Sequence, residues 1–189
     1  MRAMATKPYP VSDAPLLSIL IAPHARLKAK ARAVANGDTD ADAVRAILPR
    51  MFATMYAAPG IGLAAPQVDL GLRVLVIDLM PNDKPAPLAM INPEILAVSD
   101  ELSMREEGCL SLPGMYAEVT RPARVKVRYM DATGARKELE ADDLLATCIQ
   151  HEVDHLDGVL FVDHLSKLKR DMILRKVEKT QRQKDGHLL

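Results

Sequence analysis

The sequence predicts an α+β fold: mostly antiparallel strands packed around a central helix, with a further helix at the C-terminus. Three observations lead there. An apolar run at residues 144–156 contains Gln150-His151-Glu152-Val153-Asp154-His155 and is long enough to be a helix. Between positions 72 and 140, short β-branched or alternating segments are separated by turn residues. Beyond position 165, apolar residues recur at helical spacing in a basic background.

At 189 residues the chain fits one domain with its own core. The expected layout is a loose leader, 1–15, with three prolines and no periodicity, followed by a single domain, 16–189. Acidic and basic residues balance at 25 each, so net charge alone does not mark a polyanion binder. Two cysteines suggest a reducing compartment without structural disulfides, and so a cytoplasmic location. No apolar run approaches the ~18–20 residues a membrane span requires. The apolar stretch 16–22 follows Arg2 and Lys7, but Asp13 and Pro15 interrupt the region, which argues against a signal peptide.

Taken in order, the first helix is expected at 42–57, where Val44, Ile47, Leu48, Met51, Phe52 and Met55 share a face. Asp40 is its expected N-cap, and Pro49 predicts a kink or two short helices. The segment 60–67 reads first as a glycine-rich exit from that helix. Its alternative is close approach by another backbone, which Gly60 and Gly62 permit. Strands are expected at 72–78, 88–92, 94–98, 116–120, 124–130 and 136–140, the last two joined through Asp131-Ala132-Thr133-Gly134. Asp142 is the expected N-cap of the central helix. The last helix, 166–184, carries an apolar stripe of Leu165, Leu168, Met172, Ile173 and Val177. Its eight basic residues outnumber Asp171 and Glu178, a balance that suits either a solvated face or an anionic partner.

The chemistry concentrates on the central helix. His151 and His155, four residues apart, project from one face and can share a metal ion. Glu152 lies about 100° round the axis, poorly placed to bind the ion but free to move protons for a water beside it. The bland reading is a helix with one buried and one exposed histidine. A catalytic ion usually has three protein ligands and an open position, so a third ligand is the test. The pattern H-E-x-x-H-x-x-G-x-x-H continues to Gly158 but then meets Phe161, which has no lone pair. Glu178, the only later glutamate, sits in the basic segment. Cys148 shares the helix, but it is seven residues from His155, about 10.5 Å of rise, and both would have to come within ~2.0–2.3 Å of one ion. Cys148 is therefore read as a core thiol. Cys109, between Gly108 and Leu110-Ser111-Leu112-Pro113-Gly114, can approach from a separate segment, a backbone-exposing setting rather than a core strand.

Three stretches carry a resemblance. Gly60-Ile61-Gly62-Leu63-Ala64-Ala65-Pro66-Gln67, Glu107-Gly108-Cys109-Leu110-Ser111 and Gln150-His151-Glu152-Val153-Asp154-His155 resemble, in order and spacing, the three motifs of peptide deformylases. The resemblance runs from about Leu16 into the C-terminal helix. It implies hydrolytic removal of the formyl group from the N-terminal formylmethionine of newly made polypeptides, with formate as product. The runner-up is a metallo-endopeptidase built on the same His-Glu-x-x-His helix. The resemblance further implies Cys109, His151 and His155 as ligands of one divalent ion. That ion would be ferrous iron in the cell, with zinc, nickel or cobalt also compatible. Glu152 is then the general acid–base, and the Gln67 amide and Leu110 N–H are the donors to the oxyanion. Ile61, Gly62, Leu144, Thr147 and Cys148 are implied substrate contacts, with the segment at Gly62 pairing with an extended peptide. The resemblance also implies nascent peptides as partners, a monomer, and a ribosome contact through the C-terminal helix. Arg105 stands where the family often has an apolar residue near the pocket rim, and its stem is expected to cover apolar surface while the guanidinium reaches solvent. Glu107 and Arg121 are expected to form an ion pair.

Overall fold

The computed structural model describes residues 15–35 and 38–185, so most of the expected leader lies outside the described residues. The first helix, α1 (Asp38–Ala57), begins earlier than expected, which puts Asp40 inside it rather than at its cap. It runs on through Pro49 as one helix instead of two. Val44, Leu48, Met51, Phe52 and Met55 all bury on one side, so packing along the whole length holds the helix where one backbone donor is missing.

A five-stranded antiparallel sheet lies against it, formed by β1 (Gly62–Ala64), β2 (Val74–Ile77), β3 (Leu88–Val98), β6 (Val125–Met130) and β7 (Arg136–Ala141) in the order β1-β2-β3-β6-β7. The two strands expected at 88–92 and 94–98 are one strand with a register shift between Ile91 and Glu94. Asn92 takes φ 52° at that irregularity, and Pro93, which cannot donate to a ladder, sits there too. A separate two-stranded ribbon pairs β4 (Leu102–Cys109) with β5 (Leu112–Pro122).

The central helix is α2 (Asp143–Leu156), with Asp142 at its N-cap but making no side-chain cap bond. On one face of the sheet Leu75, Ile77, Met90, Val125 and Val127 pack with Ile149, Val153 and Leu156 of α2. On the other, Val74, Val76, Ala89 and Ile91 pack against α1. The alternation within β2 is what assigns successive residues to the two helices. A third cluster joins Leu112, Met115 and Val119 of β5 to Phe161, Val162 and Val177, so the ribbon is held by the turn after α2 and by α3 (Lys167–Asp185).

The expected stripe on α3 is only partly used. Val177 is buried, and Leu165 and Ile173 pack with Leu174 against the third cluster. Leu168 and Met172 remain 72% and 62% exposed. They sit on the side of α3 turned from the body. Among the described residues, no helix is long and apolar enough to cross a membrane.

Candidate metal centre and active-site cavity

β4 brings Cys109 to α2. The Cys109 thiol lies 3.2 Å from His155 Nε2, and one ligating atom each from Cys109, His151 and His155 fall within 4.8 Å of one another. Cys109 was expected beside a turn, in a backbone-exposing setting rather than a core strand; it is the last residue of a strand, at the register shift that follows Gly108. The strand escaped the sequence reading because its pattern is inverted. Leu102 and Met104 point to solvent, while Arg105, Glu107 and Cys109 share the inner face.

The two imidazoles are ordered differently. His151 Nδ1 is 2.8 Å from Glu107 Oε2, and because a carboxylate only accepts, Nδ1 donates to it, which leaves Nε2 as the ring nitrogen available to the site. Arg121 grips the same carboxylate through Nε at 2.5 Å and Nη2 at 3.0 Å, the pairing expected for these two residues. Burial by itself would raise the Glu107 carboxyl, but hydrogen bonds from His151 and Arg121 outweigh it and hold the carboxyl down at about 2. Phe161, where a third histidine would stand in the longer zinc pattern, instead stacks its ring 6.3 Å from that of His151.

Glu152 is buried, and burial pushes its carboxyl up to about 7 against the pull of His151. Its Oε2 and His155 Nδ1 are buried without a hydrogen-bond partner among the described residues. A thiolate and two imidazoles are a donor set that suits a borderline divalent ion, and the orphaned Glu152 oxygen on the cavity wall beside it suits an aqueous occupant. The residues present therefore fit a metal ion.

A cavity of about 510 Å³ opens from this centre. Its wall includes Ile61, Gly62, Gln67, Cys109, Leu110, Leu144, Thr147, Cys148, His151 and Glu152, while His155 lies behind it. Ile61 and Leu144 are 43% and 42% exposed and form the rim. Gln67 is fixed by accepting the Ala64 N–H on Oε1, which turns its Nε2 toward Cys109 Sγ at 3.5 Å and Ser111 Oγ at 3.2 Å. A Cβ at Gly62 would collide with the Glu152 carboxylate and lie 3.0 Å from Cys148 Sγ, so only glycine lets this strand run so close to α2. Beyond it β1 is the end strand of the five-stranded sheet, and among the described residues no strand pairs with its outer edge. Cys148 is a wall residue whose thiol is pushed well up by burial, and it stands outside the three-residue cluster.

Sequence reasoning missed part of the wall. Ile19, Pro113, Met115 and Tyr116 also line the cavity, and no motif pointed to them. Arg105 also makes a contact that the sequence did not suggest: its Nη2 donates to Asp143 Oδ1 at 2.8 Å, tying β4 to the first residue of α2.

The wider relationships of the chain agree with this geometry. Residues 16–171 match the polypeptide deformylase family. Among relatives, the peptide deformylase of Methylocella silvestris is 53% identical over 169 residues, covering 87% of this chain and 85% of its own. That of Brucella suis is 57% identical over 144 residues, 76% of this chain and 82% of its own. Among solved structures, the peptide deformylase of Ehrlichia chaffeensis in complex with actinonin superposes with a TM-score of 0.84 at 38% identity, covering 89% of this chain and 99% of that one. With the cysteine and two histidines gathered at one point and the match spanning most of its length, the chain belongs to the polypeptide deformylase family.

Proposed function

We propose that this protein hydrolyses the formyl group from the N-terminal formylmethionine of new polypeptides, releasing formate. The observation that carries the proposal is the Cys109–His151–His155 cluster set beside buried Glu152 at the wall of a largely apolar cavity. Cys109, His151 and His155 would hold one divalent ion, which supplies Lewis acidity and makes a water at the site acidic enough to lose its proton near neutral pH. We assign ferrous iron in the cell; metal analysis of anaerobically purified protein tests this against zinc, nickel and cobalt.

The chain's own groups then divide the work. Glu152 accepts the water's proton and delivers it to the amine that leaves as the formyl C–N bond breaks. The Gln67 Nε2 hydrogen on the Cys109 side and the Leu110 backbone N–H offer themselves to the formyl oxygen as it gains charge. The substrate backbone lies along the open edge of β1 at Gly62. Its methionine side chain enters between Ile61, Leu144, Thr147 and Cys148, and burying it is worth about 1.5–3 kcal/mol.

An endopeptidase on the same helix is the rival class, and the family relationship weighs against it. Supplied with a formyl-Met peptide and an unformylated protein substrate, the enzyme should release formate from the first and leave internal bonds of the second intact. Internal cleavage without formate release would overturn the assignment. The nascent chain is the natural substrate, and the exposed basic side of α3 offers lysine and arginine to ribosomal RNA phosphates. A monomer working in the cytoplasm fits that role.

A further inference from the structure

Gln150 and Asp154 stand one turn apart on α2, next in sequence to the two histidines but facing β5 instead of the cavity. Gln150 Nε2 donates to the Pro122 carbonyl at 3.0 Å. Asp154 Oδ2 accepts from Arg121 Nη1 at 2.8 Å. Arg121 is 5% exposed, and its other two contacts are the paired bonds to Glu107 already described. One guanidinium thus joins a carboxylate two residues before Cys109 to a carboxylate one residue before His155. The ligands come from two separate pieces, the β4–β5 ribbon and α2, and this arginine sets the distance between them.

The chain of contacts does not stop at Asp154. His164 Nε2 lies 2.7 Å from the same Oδ2, and its side chain is 36% exposed. His164 ends the turn Phe161–His164 that follows α2, the same turn that lays the Phe161 ring on His151. An unbroken path therefore leads from the surface to the ligand: His164, Asp154, Arg121, Glu107, His151. Each member fixes the next, because Arg121 presents a rigid planar fork and each carboxylate is held from two sides.

We propose that Asp154 and His164 are positioning residues for the metal centre, acting through Arg121 and Glu107 on the orientation of His151. The inference rests on the reading of Cys109, His151 and His155 as a metal site. Partners of this kind beyond the ligands change metal affinity by ~10–100-fold when removed, because a ligand ring free to turn spends less time aimed at the ion.

The test uses the full chain loaded with Co(II), whose visible absorption reports thiolate and imidazole coordination. The rate at which excess EDTA removes the ion is compared for the wild type, Asp154→Asn, His164→Ala and His164→Gln. Asp154→Asn should release cobalt about tenfold faster with shifted bands. His164→Ala should release it about threefold faster, with a smaller shift for a group one step further away. His164→Gln, which keeps an N–H for Asp154, should return close to the wild-type rate. Release at the wild-type rate with unchanged bands in both Asp154→Asn and His164→Ala would overturn the proposal, even if their melting temperatures fall. Equal release from His164→Gln and His164→Ala would overturn the part played by His164. Should Asp154→Asn fail to fold, the two variants at exposed His164 decide the matter. A wild type that takes up no cobalt would instead overturn the metal-centre reading itself.

Discussion

α2 and α3 are both amphipathic, and they meet opposite fates. In α2, ten of 14 residues are buried, among them Thr147, Gln150, His151, Glu152 and His155. In α3, Val177 alone among the described side chains is fully buried, and Lys167, Lys169, Arg175, Lys176, Lys179 and Arg182 are exposed. The difference is one of neighbours. α2 lies between the five-stranded sheet and the β4–β5 ribbon, so its polar face is enclosed and its polar atoms must find partners, a metal ion or substrate. α3 has a body on one side only. Its exposed charged side chains meet solvent, which constrains their identity far less. Buried polarity is therefore informative in α2, and exposed charge in α3 carries information only through a partner.

Breaking the enclosed helix should have the largest effect. Glu152→Ala should lower kcat for formate release from a short formyl-Met peptide by about 10²–10⁴-fold while the protein still binds one ion, since Glu152 is not among the three clustered ligands. Steady-state kinetics alongside metal analysis checks both halves. Retained turnover would show that the proton is moved by another group.

The two cysteines sharpen the same contrast. Both line the cavity, yet Cys109 alone belongs to the cluster with the histidines. Cys109→Ser should lose tight metal binding, because a neutral hydroxyl replaces a thiolate. Cys148→Ser should keep the metal and alter at most the fit of the methionine side chain. Metal content per chain after gel filtration reads the difference, and the opposite pattern would defeat the argument that one helix cannot wrap Cys148 and His155 around a single ion.

These two residues also show how far the sequence could be read. The helical register of His151, Glu152 and His155, the distance argument against Cys148, and the approach of Cys109 from another segment need only helix geometry and ligand chemistry. All three follow from spacing and residue chemistry along the chain. What stayed hidden depends on contacts across it. β4 was invisible because its apolar residues face outward and its polar ones face the site. Asp154 and His164 carried no signal, because only in the fold does Asp154 meet Arg121 of the ribbon and His164 meet Asp154. At Pro49 local propensity allows a kink or two short helices, and the packing of α1 keeps a single helix. On α3, spacing predicted five residues in a docking stripe, and the one-sided environment used Leu165, Ile173 and Val177 but left Leu168 and Met172 to solvent.

A smaller effect is expected at the junction of the two environments. Arg105 and Asp143 tie β4 to the start of α2 in a pair exposed enough for solvent to screen it, with side chains 34% and 84% exposed. Such pairs contribute about 0.2–1 kcal/mol. Arg105→Ala should therefore raise KM for a formyl-Met peptide by no more than about fivefold with kcat unchanged, by loosening the β4 side of the cavity. A fall in kcat of tenfold or more would mean that the pair acts on the metal centre as well as on the wall.

The smallest effect on chemistry, and the clearest separation of the two helices, should come from the basic side of α3. Deleting the helix is a poor experiment, because Ile173, Leu174 and Val177 pack on the cluster that holds the ribbon. Reversing charge at Arg175, Lys179 and Arg182 leaves those apolar contacts in place, since all three side chains are exposed. Arg182 gives up only an ion pair to Glu178 at 4.0 Å, too long and too exposed to matter for stability. Hydrolysis of a short formyl-Met peptide should then match the wild type. Co-sedimentation with ribosomes should fall, and wild-type binding should itself weaken steeply with salt, because each phosphate contact releases counterions. The substrate exists only while chains are being made, so lost docking should slow deformylation of ribosome-bound chains more than that of free peptide, through a lower effective concentration. Equal, salt-insensitive sedimentation of the wild type and the charge-reversed protein would return this side of α3 to a solvated face with no partner.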